Sequence, residues 1–550
     1  MFIKSFSFFP LIILFSFCCT KKELNADDAV FKYLEITLDG QSSDKKFTNV
    51  GPLPKIKFNF SEPIDTGSSR KSIFIRGESG LDLQLNLTTA DGDSTLWVSP
   101  LDSLAYFTSY DLYITSSLKS ISGKSLESSV NIKLITSLNP NPKPIIMSDD
   151  SLLTEVQQKT FKYFWDFGHP VSGLSRERNT SGDICTLGGS GFGIMSILVG
   201  MHRKFISRED GLNRLILMTN FLSDKTTTYH GAFPHWFNGS TGATVPFSPF
   251  DDGADLVETS YLMMGLLCAR QFFKEDDILE KSLRDKIDFL FNRVEWSYFQ
   301  KNEEVLYWHW SEKYGWKMNF KIQGWNEALI TYVLAASSEL HAIPRSTYVN
   351  GWAKNGGIKN GNSYYGYTLP LGPTLGGPLF FEHYSFLGMN PNGLKDEFAD
   401  YEIQTKNHSL INYAYCVANP KKYFGYSADC WGLTASDTYG GYTAHEPNND
   451  RGVISPTAAI SSLPFTPDES LKAMRFFYHQ IGNKTWKEYG FIDAFSLDEY
   501  WFAKSFLAID QGPIIVMIEN YRSGLLWNLF TSCPEVKSGM KKLGFKAPYL

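Results

Sequence analysis

Phe250-Asp251-Asp252-Gly253-Ala254-Asp255-Leu256-Val257-Glu258-Thr259-Ser260-Tyr261 runs without a break into the apolar stretch Leu262-Met263-Met264-Gly265-Leu266-Leu267-Cys268. A run that apolar, joined to helical spacing, is a helix that must be buried. The acids Asp251, Asp255 and Glu258 are spaced i, i+4, i+7, which puts all three carboxylates on one face if the helix has begun at Asp251. Stacked carboxylates repel one another, so such a face needs a partner or a chemical task. A second reading stays open: acids in a first turn favour the positive end of the helix dipole, and Asp252 with Asp255 would make an N-cap and N3 pair resembling a capping box. Capping by Asp252 can coexist with chemistry at Asp255 and Glu258.

Outward from this stretch, the helical period begins at about Ser151 and continues toward the C-terminus. Helices are expected over 152–167, 191–205, 211–223, 255–273, 278–294, 326–338, 409–417, 467–481, 497–509, 513–530 and 533–543. Several are apolar nearly all round, so they belong to an inner layer. Long loops rich in Gly, Tyr, Trp and Asn lie between them, and sites are usually built on such loops. The expected architecture over 151–550 is an all-α toroid of paired inner and outer helices. A further acid, Glu327, opens an apolar helix in Gly324-Trp325-Asn326-Glu327-Ala328. If inner helices start at one rim, Asp251, Asp255 and Glu258 face Glu327 across a pocket. Crowding then raises one carboxyl while others stay ionised, supplying an acid and a base.

Upstream, residues 30–137 read as short alternating strands such as Lys55-Ile56-Lys57-Phe58-Asn59-Phe60 and Leu81 to Leu87. Turn signals at Asp91-Gly92 and Ser122-Gly123 complete the pattern of a small all-β sandwich. A Pro-rich linker is expected over 138–150. Residues 1–19 read as a lipoprotein signal peptide: Lys4, then the apolar Phe6 to Phe17, then Cys18-Cys19-Thr20-Lys21-Lys22. Cys19 is the expected lipidation site, which would anchor the protein to the bacterial outer membrane or cell surface, with plain secretion as the alternative. The remaining cysteines, Cys185, Cys268, Cys416, Cys430 and Cys533, are odd in number and scattered. They show neither a disulfide framework nor metal-ligand spacing, although Cys416 and Cys430 could pair.

A net charge of −6 over 550 residues gives no electrostatic footprint for nucleic acid. Aromatic residues make up 15% of the chain, which serves either a large core or stacking on sugar rings.

Thr186-Leu187-Gly188-Gly189-Ser190-Gly191-Phe192-Gly193, Phe250 to Tyr261, Gly324-Trp325-Asn326-Glu327 and Pro378-Leu379-Phe380-Phe381-Glu382-His383 together resemble the glucoamylase-like domain, which includes bacterial endo-β-1,2-glucanases. Phe60-Ser61-Glu62-Pro63-Ile64-Asp65 resembles bacterial Ig-like modules. The resemblance implies an (α/α)6 toroid and a metal-free, cofactor-free glycoside hydrolase of inverting type acting on β-glucan. It places the candidate catalytic acids on Asp251, Asp255, Glu258 and Glu327. Burial in an apolar helix favours Glu327 as general acid. Asp255 would be the base that activates water, with Glu258 or Asp251 tuning it or holding a sugar hydroxyl.

Candidates for substrate binding are Arg176, Glu177, Arg178, Trp308, Trp310, Trp325, Glu382, His383, Trp431, Tyr442 and His445. The arginines could equally form surface ion pairs, and His445 could be a structural hydrogen-bonder. Gly188 to Gly193 lacks the Gly-Lys-Ser/Thr of a phosphate loop and reads as close packing at a helix start. Asn407-His408 keeps a polysaccharide lyase open as a rival, and a non-catalytic glycan-binding lipoprotein is another. The expected partner is a polysaccharide or oligosaccharide, bound by a monomer.

Overall fold

The computed structural model describes residues 30–142 and 146–550, so the signal segment, Cys19 and part of the Pro-rich linker lie outside the described residues. The chain divides after Leu138 into two compact units.

In the first unit, Ile56, Phe58 and Phe60 are buried while Lys57 and Asn59 are half-exposed, the period-two pattern of a strand with one face on a core. Nine strands follow this logic: β1 (Tyr33–Leu38), β2 (Gln41–Ser42), β3 (Lys46–Val50), β4 (Ile56–Phe60), β5 (Ile73–Gly77), β6 (Leu85–Ala90), β7 (Thr95–Pro100), β8 (Ser109–Ile114) and β9 (Val130–Thr136). They form a five-stranded sheet in the order β2-β1-β4-β7-β6 and a four-stranded sheet in the order β3-β9-β8-β5. The expected strand over Leu81 to Leu87 begins only at Leu85, since Leu81 follows a turn at Gly80 and stays 72% exposed.

The second unit is helix-rich. Its main helices are α1 (Asp149–Trp165), α2 (Leu187–His202), α3 (Arg208–Asp224), α4 (Leu256–Phe272), α5 (Ile278–Asn292), α6 (Leu329–Ser337), α7 (Tyr401–Ala418), α8 (Pro456–Ser461), α9 (Pro467–Arg475), α10 (Ala508–Ser523), α11 (Leu525–Thr531) and α12 (Pro534–Leu543). Two kinds are distinguishable by burial. All nine residues of α6 and the whole run Leu256–Ala269 of α4 are buried. By contrast α5 buries only Glu280, Leu283, Ile287, Leu290 and Phe291, one face of an amphipathic helix. The inner helices α2 and α4 touch backbone to backbone. A Cβ on Gly191 would lie 2.2 Å from the Tyr261 carbonyl oxygen, and one on Gly265 2.3 Å from that of Gly191. The Gly-rich segment therefore serves helix packing.

The structure corrects several expected boundaries. Residues 497–509 are not a helix: Phe495–Ser496 pairs with Trp501–Phe502 around a turn in which Tyr500 has a φ of 51°, and α10 begins at Ala508. Pro513 lies inside α10 rather than opening it. The expected helix over 326–338 starts at Leu329, leaving Glu327 in the turn before it. The linker is not free over its whole length, because the Asn139 carbonyl accepts a bond from Gln480 Nε2 at 2.7 Å and α1 starts at Asp149. The five cysteines among the described residues are free and buried, so Cys416 and Cys430 do not pair. No helix among the described residues is long and apolar enough to cross a membrane.

Candidate active site

Helix α4 does not begin at Asp251. Asp255 is its N-cap, and its Oδ1 accepts bonds from the Val257 and Glu258 backbone N–H groups at 3.0 and 2.9 Å. The single helical face of three acids is thereby replaced by three separate placements, and Asp252 is not the cap. A short antiparallel pairing sets Asp255 opposite His309, and the Leu256 N–H donates to the Trp308 carbonyl at 2.9 Å. His235 Nδ1 donates to Asp255 Oδ2 at 2.9 Å. His309 Nε2 lies 3.2 Å from Asp251 Oδ2 and 3.5 Å from Asp255 Oδ2.

The electrostatics follow from these contacts. Burial would raise the Asp255 carboxyl, but hydrogen bonds and charge from His235 and His309 outweigh it and hold the group well below the usual carboxylate range. Burial opposes protonation of His235, yet Glu258, Asp255 and Asp251 push it up to about 9. His309 is pushed up to about 9 against its own burial by Asp251 and Asp255. The sequence signalled neither histidine as a partner of the acids. His309 was legible only as the spacer between two tryptophans, because the pairing that delivers it is tertiary.

Beside this cluster opens a cavity of 450 Å³ lined by Glu177, Arg178, His235, Trp236, Phe247, Glu258, Trp308, Glu327, Tyr384 and Tyr442, among others. Glu258 and Glu327 line it; Asp251 and Asp255 do not. Glu258 is 8% exposed, and its Oε2 accepts the Gly188 N–H at 2.6 Å. A Cβ on Gly188 would sit 2.7 Å from that oxygen, so the glycine admits the carboxylate to the start of α2. Burial raises the Glu258 carboxyl to about 7, with Asp255 and Asp251 adding to the rise and His235 and the Gly188 N–H opposing it. Burial also raises Glu327 to about 7, reinforced by the charges of Glu258 and Asp255. Both carboxyls titrate near neutrality, and the Glu258 charge raises Glu327, which favours Glu327 as the one that holds a proton. Such a cavity holds an acid and a base built from one residue type.

The expectation that Asp255 is the water-activating base is corrected by this geometry. Its Oδ1 is committed to the helix cap and its Oδ2 to imidazoles, with none of its surface exposed. Of the proposed binding residues, Glu177, Arg178, Trp308 and Tyr442 line the cavity. Arg178 is fixed there by Glu177 at 2.9 Å and Asp437 at 3.2 Å.

Other candidates sit elsewhere. Arg176 lies over the Phe167 ring and donates to the Phe167 carbonyl. Trp310 meets His230 and Tyr298 edge-on. Glu382 is wholly buried, accepting from Trp325 Nε1, Gln404 Nε2 and His408 Nδ1 at 2.8, 2.8 and 2.7 Å. His383, Trp431 and His445 are buried as well, with His445 Nε2 against Ser436 Oγ and His383 Nε2 against Ser462 Oγ. These aromatic and polar residues are internal hydrogen-bonders because a large unit must satisfy every buried polar group. His408 belongs to the Glu382 network and Asn407 donates to the Thr368 carbonyl, so the lyase pair does not reach the cavity. Phe247, Trp236, Phe380 and Tyr384 are cavity residues that no sequence signal singled out.

His235, Asp251 and Asp255 each offer a donor atom within 4.8 Å of the others, the spacing of a cation site.

Residues 319–534 match the family model described as "Putative glucoamylase", and residues 36–136 match the bacterial Ig-like domain model. A Parabacteroides distasonis protein named exo β-1,2-glucooligosaccharide sophorohydrolase (non-reducing end) is 45% identical over 421 residues, covering 72% of this chain; the chain spans 58% of that relative's length. A solved Bacteroides uniformis structure with the same description as the first model is 55% identical, with a TM-score of 0.73, over 74% of this chain and 100% of its own. A solved endo-β-1,2-glucanase from Chitinophaga pinensis, in complex with sophorotriose and glucose, is 52% identical with a TM-score of 0.72, over 74% and 100%. The chain belongs to the glucoamylase-like family, with a bacterial Ig-like domain ahead of the family's helix-rich domain.

Proposed function

We propose that this chain is an inverting glycoside hydrolase that cleaves β-1,2-glucan within an (α/α)6 toroid. The observation that carries the reading is the pair Glu258 and Glu327 in one cavity, each raised to about 7. The names of the Parabacteroides and Chitinophaga relatives supply the linkage.

Glu327 is the general acid. Burial and the Glu258 charge favour its protonated form, and only its own backbone N–H opposes them. It delivers its proton to the glycosidic oxygen as the bond to the anomeric carbon breaks. Glu258 is the carboxylate that takes a proton from the attacking water. The Gly188 N–H and the His235 charge help keep it ionised. Asp255 holds His235 in place, His309 in turn meets Asp255, and neither Asp255 nor His309 lines the cavity.

Inversion requires the two carboxyls to lie about 6.5–9.5 Å apart with a water between them. Glu327→Gln should lower kcat by about 10²–10⁴-fold, the usual contribution of a general acid. Wild-type hydrolysis followed by NMR should release the α-anomer first from β-1,2-glucan and leave starch intact. Tight glycan binding with no new reducing ends would instead make the protein a binder, and an unsaturated, absorbing product would make it a lyase. Product sizing on long chains distinguishes endo from exo attack. A lipid anchor at Cys19 and a monomeric state complete the proposal. Membrane release of Cys19→Ala and a solution mass measurement test them.

A further inference from the structure

A cavity of 450 Å³ lies toward the small end of ligand pockets, which span roughly 300–1,000 Å³. A polymer threaded into it must emerge over neighbouring surface. On one side that surface is aromatic. Phe247 lines the cavity and is 49% exposed. Trp308, also in the wall, stacks on Phe320 with ring centroids 5.3 Å apart, and Phe320 is 50% exposed. Phe250 and Tyr314 then meet edge-on at 5.3 Å, exposed by 42% and 37%. The Lys317 ammonium lies 5.9 Å from the Phe250 ring and ties this second pair to the segment that ends in Phe320. All these rings stand on two facing segments, 247–251 and 308–320, the same ones that deliver Asp251 and His309 to the acid cluster.

We propose that Phe320, Phe250 and Tyr314 form an outer binding track on which a glucan chain leaving the cavity stacks its sugar rings. The proposal rests on the hydrolase reading above. Large rings left open to water on two facing segments beside a cavity mark a binding surface rather than a core. The face of an aromatic ring is its negative pole, which suits the weakly positive C–H face of a pyranose. Continuity through Trp308 and Phe247 fixes the occupant as the substrate chain already held in the cavity. Neither Phe250 nor Tyr314 lines the cavity.

The test compares kcat/KM on long β-1,2-glucan and on a short oligosaccharide for wild type, the double variant Phe250→Ala/Tyr314→Ala, and Phe320→Ala. The double variant should lose about 5–10-fold on the long chain and less than twofold on the short one. Phe320→Ala should lose on both, more on the long chain, because it also releases Trp308. Binding of long chains to Glu327→Gln with and without the double substitution, read by calorimetry, should weaken by a similar factor. Equal losses on both substrates, or none on either, would overturn the track. So would a change of solution mass in the double variant without a change in long-chain binding, which would make the patch a self-association surface. A wild-type protein inactive on β-1,2-glucan would instead remove the hydrolase reading.

Discussion

Two buried acid clusters lie near the cavity, one with its central carboxylate held ionised and the other with a carboxyl held protonated. Around Asp255, acids meet two imidazoles, and the carboxylate is held ionised with His235 and His309 protonated. Around Asp493 and Asp510, which are 1% and 2% exposed, no imidazole or ammonium touches the pair. Asp493 Oδ2 accepts the Asp437 N–H at 2.7 Å, while no residue outside the pair donates to Asp493 Oδ1 or Asp510 Oδ2, and the two carboxyls hydrogen-bond each other. Burial lifts Asp493 to about 7, and burial with the Asp493 charge lifts Asp510 well above the carboxylate range, so the two share a proton. Burial is common to both clusters. The partner decides the charge, and only the first cluster can bias Glu258 toward ionisation.

The comparison can be broken at several points. The largest effect belongs to Asp255→Asn, which keeps an oxygen for the helix cap but leaves the His235 imidazolium without its carboxylate and His309 with Asp251 alone. Breaking a buried pair costs about 3–5 kcal/mol, so the urea midpoint should fall by that equivalent. Next, Gly188→Ala places a methyl 2.7 Å from Glu258 Oε2 and 2.8 Å from Tyr261 Cδ2. Overpacking of this kind costs about 1–3 kcal/mol, and kcat should fall with stability because Glu258 is displaced.

His235→Asn removes a charge that lowers Glu258, so the acid limb of kcat/KM should move to higher pH, by about one unit or about 1.4 kcal/mol. An unmoved limb would remove His235 from the ionisation of Glu258. The smallest effect is expected at Asp510→Asn, whose amide donates where the shared proton now sits. Its stability at pH 7 should stay within about 1 kcal/mol of wild type.

The pH dependence of stability separates the clusters further. Asp255 is depressed in the folded state, so its contribution is present above about 3.9 and is lost as pH falls toward its folded value. His235 and His309 are raised, so theirs is complete below about 6.5 and is lost as pH rises through about 9. The Asp493–Asp510 pair is raised as an acid, so stability falls as pH climbs from about 3.9 through about 7. Asp510→Asn should make that middle window shallower, with Glu258 and Glu327 still contributing to it, and leave the alkaline one intact.

Much of this was legible from local pattern. The period-two runs gave the sandwich strands, the apolar runs gave α2, α4 and α6, and Glu258 and Glu327 stand out in the sequence as acids joined to apolar helices. Their division of labour was not legible. Spacing i, i+4, i+7 describes one helical face only if Asp251 is helical, and the pairing of Ala254–Asp255 with His309–Trp310 holds Asp255 at the boundary as the cap. Glu382, His383, Trp431 and His445 sit in aromatic sequence like the true wall residues, and nothing local distinguishes a ring facing inward from one facing a cavity.

The sequence by itself determined the two-part organisation, the inner helices and the acids available for chemistry, because these depend on composition and on the periods of strand and helix. Tertiary structure decided which acid stays charged, which shares a proton and which meets the cavity. A buried carboxyl's state depends on donors and charges within a few ångströms, and here those come from segments some twenty to seventy residues away: His235 and His309 for Asp255, Gly188 for Glu258, Asp437 for Asp493.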